Sequence, residues 1–271
     1  MDVPMGGTAP SVESLPTDGR TAIPIVIGGF YRSGTSLVRR LLDSHSRIHC
    51  GPEVTFFRDF YGRYSNDEMA HVRFFSTVRS LGLGEGELLR LFGTAFVTAH
   101  QRAASAAGKA RWADKNPDNA IFLREWDVLV PDGFLFINVI RNPLDVLASL
   151  KEVGFPRTIP VDFHTRVELY AHYRRAAADF QASEPGRCYS IEYDSLVTNP
   201  LTALREVFDF LEEEFEPSVV DSYWRPDRGV GLEDPKIAKT REIHPLSVGR
   251  WRRDLTPSEI GICRAELGDW L

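Results

Sequence analysis

Residues 23–53 read Ile-Pro-Ile-Val-Ile-Gly-Gly-Phe-Tyr-Arg-Ser-Gly-Thr-Ser-Leu-Val-Arg-Arg-Leu-Leu-Asp-Ser-His-Ser-Arg-Ile-His-Cys-Gly-Pro-Glu, and their reading decides the fold. A β-branched apolar run, Ile23 to Ile27, meets Gly28 and Gly29 and then turns through Arg32, Ser33 and Gly34. Apolar residues at 37, 38, 41 and 42 follow, one face of a helix. Strand, glycine turn and helix start aim successive backbone N–H groups at an anion. Small residues at 33–36 let phosphate oxygens reach the main chain. The stretch predicts a phosphate-binding loop.

A nucleotide-triphosphatase loop has the form G-x-x-x-x-G-K-[ST], with Lys on the β- and γ-phosphates and Ser or Thr on magnesium. Counting from Gly29, the second glycine is Gly34, but Thr35 occupies the lysine position and the cation has moved upstream to Arg32. A triphosphate needs that lysine and a metal to share its charge. Arg with hydroxyls suits a donor with fewer charges on the transferred group. A sulfonate joined to a single phosphate fits, and needs no metal.

Two stretches, Arg32-Ser-Gly-Thr-Ser36 and Arg141-Asn-Pro-Leu-Asp-Val-Leu-Ala-Ser149, resemble the paired loops of sulfotransferases that use 3′-phosphoadenosine-5′-phosphosulfate (PAPS). Cys50-Gly-Pro-Glu53, Asp114-Lys115-Asn-Pro117 and Tyr193-Asp-Ser-Leu-Val-Thr-Asn-Pro200 bring the likeness nearest to the protein-tyrosine and bacterial small-molecule branch. It covers residues 23–254. The resemblance implies a P-loop-type α/β fold, a central and mostly parallel sheet with helices on both faces. It implies that Arg32, Ser33, Gly34, Thr35 and Ser36 hold the 5′-phosphosulfate and that Arg141 with Ser149 holds the 3′-phosphate. The product would be 3′,5′-ADP.

Glu53 follows a short extended segment, so it reaches the carboxyl edge of the sheet where ligands sit. It is either a helix-start carboxylate or, as the resemblance implies, the general base for an acceptor hydroxyl. His49 is the second candidate, and His45 is expected on the helix surface. Lys115 directly follows a strand expected over 109–114; by resemblance, and because sulfuryl transfer loads charge onto the leaving oxygen, it is expected to stabilise that oxygen together with Arg32. Asn116 and Asp118 read as turn and cap residues. Residues 133–140 form a nearly continuous apolar run, a strand buried on both faces. Arg141 at its end and Ser149 two helical turns on can converge on a phosphate, unless Arg141 pairs with Asp145. Tyr193 is either the adenine contact the resemblance implies or a core tyrosine.

The chain has 271 residues and a net charge of −6, which favours one large domain over two small ones and argues against non-specific nucleic-acid binding. Residues 1–20 read as a mobile tail and 21–271 as a single domain. Within it, 54–108 is aromatic and then helical, which alone reads as core, and the resemblance implies an acceptor-side helical insertion there; 225–254, rich in Lys and Arg, reads as a lid loop. There the resemblance implicates Lys239, Thr240 and Arg250 in cofactor binding. Glu212, Glu213 and Glu214 look like a solvated charge run. Cys50, Cys188 and Cys263 are widely spaced, as free thiols in a reducing compartment would be. With no apolar stretch of membrane-spanning length and no secretory signal, a cytoplasmic enzyme is expected, although a chain trimmed of an anchor would read the same. The sequence leaves the acceptor open (small molecule or peptide, with a hydroxyl), as well as the oligomeric state. A nucleotide-dependent kinase and a non-catalytic nucleotide-binding protein are the rival readings.

Overall fold

The computed structural model describes residues 23–62, 68–152, 158–224 and 240–271. The tail, Lys236, Lys239 and the first half of the proposed lid lie outside them. The chain begins with β1 (Ile25–Gly29), α1 (Thr35–Asp43) and β2 (Ile48–Cys50), then α2 (Phe56–Tyr61), α3 (Glu68–Ser80) and α4 (Glu85–Ala106). Next come β3 (Arg111–Lys115), a 3-10 helical turn at Pro117–Ile121, α5 (Leu123–Leu129), β4 (Leu135–Ile140) and α6 (Pro143–Glu152). α7 (Phe163–Ser183) leads to β5 (Cys188–Glu192), α8 (Tyr193–Thr198), α9 (Pro200–Leu211) and α10 (Val219–Ser222). A helical turn at Trp251–Asp254 and a terminal helix, Pro257–Leu267, close the chain.

Among the described residues the strands form one sheet in the order β2-β3-β1-β4-β5, and every pairing is parallel. β1 sits at the centre, with Ile27 opposite Lys115 on one side and Ile137 on the other. The chain leaves β1 toward one edge and later crosses to the other. That reversal opens a crevice at the carboxyl ends of the strands.

Strand side chains alternate between faces, so the sheet has two core layers. Ile25, Ile27, Leu135 and Ile137 pack with Leu37, Val38, Leu41 and Leu42 of α1 and with Leu204, Val207, Phe208 and Leu211 of α9. On the other face Val26, Phe134 and Phe136 meet Trp126 of α5 and Val167, Tyr170 and Tyr173 of α7. These residues are almost all fully buried. Among the described residues no helix is long and apolar enough to cross a membrane.

Two expectations are corrected. His45 is not on a surface: it is 1% exposed, stacks on Phe208 at 4.8 Å and places Nε2 2.9 Å from the Glu214 carbonyl. α1 has ended two residues earlier, and the turn that follows brings the ring under the end of α9. Glu213 likewise turns inward, because Glu212 takes a left-handed φ of 58° and ends α9. Glu213 is buried and accepts from Arg47 Nε at 2.9 Å and Arg111 Nη1 at 3.3 Å.

Candidate active site

Each strand delivers one chemically distinctive residue to the same edge. Arg32 follows β1, Glu53 follows β2, Lys115 ends β3, Arg141 follows β4 and Tyr193 follows β5. In a parallel sheet this arrangement comes from the topology, since all carboxyl ends lie at one edge.

The loop after β1 is tightly constrained. Gly29 has φ 143°, and a Cβ there would lie 2.4 Å from the Val139 carbonyl oxygen. Gly34 has φ 102°, and a Cβ would meet the Tyr193 ring at 2.4 Å. Arg32, though not glycine, is left-handed at φ 67°. Among the described residues no side chain caps the start of α1; Leu37 N and Val38 N donate to the Gly34 carbonyl at 3.0 and 3.2 Å, which leaves the N–H groups of Thr35 and Ser36 facing the helix start, where an anion is favoured. By contrast, Asn142 Oδ1 already caps α6, accepting from Leu144 N at 3.0 Å and Asp145 N at 3.4 Å.

Lys115 is 1% exposed, so the strand-end lysine is no solvent charge. Its ammonium donates to Ser36 Oγ at 3.2 Å and to the Glu53 carboxylate. The loop hydroxyl, the lysine and the candidate base are therefore in one cluster. Asn116 Nδ2 donates to the Val54 carbonyl at 2.8 Å, fixing the segment that carries Glu53. His49 lies apart from this cluster, with Nδ1 3.5 Å from Asp43 Oδ1.

Arg141 and Ser149 converge on Arg32 and make no direct contact with each other. Arg32 Nε donates to Ser149 Oγ at 3.1 Å, and Arg141 Nη1 donates to the Arg32 carbonyl at 3.0 Å. Arg141 Nη2 donates to the Ser247 carbonyl at 2.6 Å, while its buried Nε has no hydrogen-bond partner among the described residues. Burial holds its guanidinium below the ordinary arginine value. A buried cation of this kind gains from an incoming anion. Asp145 does not pair with Arg141: its carboxylate accepts from Gly249 N at 2.7 Å and Trp251 N at 2.9 Å, anchoring the end of the proposed lid. Arg250 is occupied elsewhere, with Nη2 3.0 Å from Glu152 and 2.7 Å from Asp254. Its hydrogen bonds to those carboxylates outweigh burial and raise it above the ordinary value. Tyr193 is 9% exposed, with its ring wedged between Gly34 and the Arg141 guanidinium, 4.4 Å from the centroid. It lines a cleft of about 240 Å³ together with Arg141, Arg174, Asp194 and Trp270.

Sequence reasoning missed the role of Asp145, whose partners lie 104 and 106 residues away, and that of Asp118. Asp118 is buried and accepts from three side chains, Tyr31, Tyr173 and Arg58, so it is more than a turn residue. An acidic residue in the 3-10 turn between β3 and α5 was the available signal.

A model of the sulfotransferase family matches residues 24–217. A provisionally assigned protein-tyrosine sulfotransferase of Caenorhabditis briggsae is 24% identical over 226 residues, 80% of this chain and 75% of that one. The nodulation protein NoeE of Sinorhizobium fredii (strain NBRC 101917 / NGR234) is 26% identical over 254 residues, 86% of this chain and 60% of that one. The solved sulfotransferase domain of the Synechococcus PCC 7002 olefin synthase superposes with a TM-score of 0.62 at 17% identity, covering 90% of this chain and 93% of that one. At that identity the superposition speaks for the fold.

Proposed function

This chain belongs to the sulfotransferase family, and we propose that it transfers a sulfuryl group from PAPS to an acceptor hydroxyl, leaving 3′,5′-ADP. The observation that carries the proposal is the position of Lys115, between a phosphate-loop hydroxyl and the Glu53 carboxylate. Displacement at sulfur needs a cation on the leaving side and a base on the entering side.

The residues present fit such a donor. Gly34 lets the loop close against the Tyr193 ring, where a Cβ would clash, and among the described residues no side chain caps α1 and the buried Arg141 Nε has no hydrogen-bond partner. When bound, PAPS supplies the sulfuryl group and a phosphate oxygen to leave from. The loop residues Arg32 to Ser36 hold its 5′ end, and Lys115 meets the negative charge that grows there. Arg141 and Ser149 hold the 3′-phosphate, and Arg32, touching both, links the two anchors. Glu53 takes the acceptor proton. Tyr193 supports Arg141 and is assigned to the adenosine end of the donor. Arg250 reaches a phosphate only by giving up Glu152 and Asp254. Residues 21–271 act as one unit, with 54–108 on the acceptor side. Cys50, Cys188 and Cys263 are free and buried, which suits a reducing cytoplasm.

The test is incubation with labelled PAPS and pooled hydroxyl acceptors, with mass spectrometry for one added SO₃. Glu53→Gln should lower kcat by roughly 10²–10⁴-fold, the usual worth of a positioned base, with 3′,5′-ADP affinity preserved. A wild-type rate in that variant would move the base to His49. Absence of any transfer by the wild type would remove the proposal.

A further inference from the structure

Asp118 takes no part in the chemistry just described, yet it touches both sides of it. Its Oδ1 accepts from Tyr31 OH at 2.7 Å and from Tyr173 OH at 2.5 Å, and its Oδ2 accepts from Arg58 Nε at 2.6 Å. Tyr31 directly precedes the left-handed Arg32 of the phosphate loop. Arg58 lies on α2, which starts three residues after Glu53. Tyr173 belongs to α7, packed against the central strand. Burial, then the Asp118 charge, raises both tyrosine hydroxyls, so they remain neutral donors.

We propose that Asp118 is a positioning residue. Through Tyr31 and Arg58 it fixes the separation between the phosphate loop and α2, and thereby the approach of the acceptor hydroxyl to the transferred group. The role rests on the sulfuryl-transfer reading above. A carboxylate only 3% exposed is costly to bury and needs several donors. These donors come from three elements whose mutual placement defines the site. A left-handed non-glycine residue persists only where its surroundings over-determine it. The Tyr31 hydroxyl bond, one residue upstream of Arg32, is one such constraint, and it helps turn the Arg32 carbonyl toward Arg141. On the other side Arg58 is held by the same carboxylate. The two arms therefore act in series, and cutting either one loosens the separation.

The experiment compares kcat, acceptor KM and 3′,5′-ADP affinity in Tyr31→Phe, Arg58→Gln, their double variant and Asp118→Asn. Tyr31→Phe keeps its ring in the packing, so its result stands even where Asp118→Asn fails to fold. Each single arm variant should lose about tenfold in kcat, since small misplacements of reacting groups are costly. Nucleotide affinity should change by less than about threefold. The double variant should be no worse than the poorer single, the mark of coupled residues. Arg58→Lys, which keeps the charge, should recover part of the rate. Wild-type kcat in both single variants, or losses that multiply in the double, would overturn this role and leave the transfer reading intact. A wild-type enzyme that transfers nothing would sink both.

Discussion

Two regions meet at Lys115, and they are held by different means. On the donor side the phosphate loop is fixed by backbone: β1 is buried throughout, Gly34 admits no Cβ beside Tyr193, and Arg141 braces the Arg32 carbonyl. On the side proposed for the acceptor, α3 and α4 pack about a small core of Phe75, Val78 and Leu88. There Phe74, Leu91 and Phe92 are 43%, 61% and 50% exposed. A site that must bind one nucleotide needs fixed N–H groups and cations, and main-chain geometry supplies these. A surface that selects an acceptor can vary in its side chains while the donor site stays as it is.

The largest effect should come where the two regions join. Lys115→Ala removes the cation that contacts both Ser36 and Glu53, and kcat should fall by about 10²–10³-fold, the usual cost of losing one preorganised transition-state donor. Steady-state rates with saturating PAPS check this, and a variant that keeps turnover would break the comparison at its centre. Next is Arg141→Met on the donor side. Loss of a charge-assisted contact to phosphate should weaken 3′,5′-ADP binding by about 10- to 100-fold, read by calorimetry, with acceptor KM little changed. The smallest effect on the donor should come from Phe92→Ser. Its ring is half exposed and 6.0 Å from Phe60, so nucleotide affinity should stay within about twofold. A shift confined to acceptor KM would sharpen the division, whereas a large loss of nucleotide affinity would erase it.

The same division explains what could be read from the sequence. Gly29, Arg32 and Gly34 were legible because a tight turn between strand and helix leaves a mark in residue type. Glu53, Lys115 and Arg141 were read at strand ends, which in a parallel sheet share one edge, whereas Tyr193 was left between an adenine contact implied by the resemblance and a core tyrosine. Contacts between distant side chains leave no such mark. Asp145 meets the main chain of Gly249 and Trp251, and Arg250 turns to Glu152, through packing that no local pattern encodes. His45 was read on a helix surface and Glu213 in a solvated charge run; both helices end before these residues, and only the fold shows that each turn faces inward. On the side proposed for the acceptor, no local pattern separates buried Phe57 and Phe75 from exposed Phe74.

Calorimetric titration of the protein with 3′,5′-ADP and, separately, with 5′-AMP tests the central claim most directly. Two anchors, the loop at Arg32–Ser36 and the pair Arg141–Ser149, predict that the bisphosphate binds at least about tenfold more tightly, one charge-assisted contact's worth. Equal affinity for the two nucleotides, or no heat from either, would contradict it.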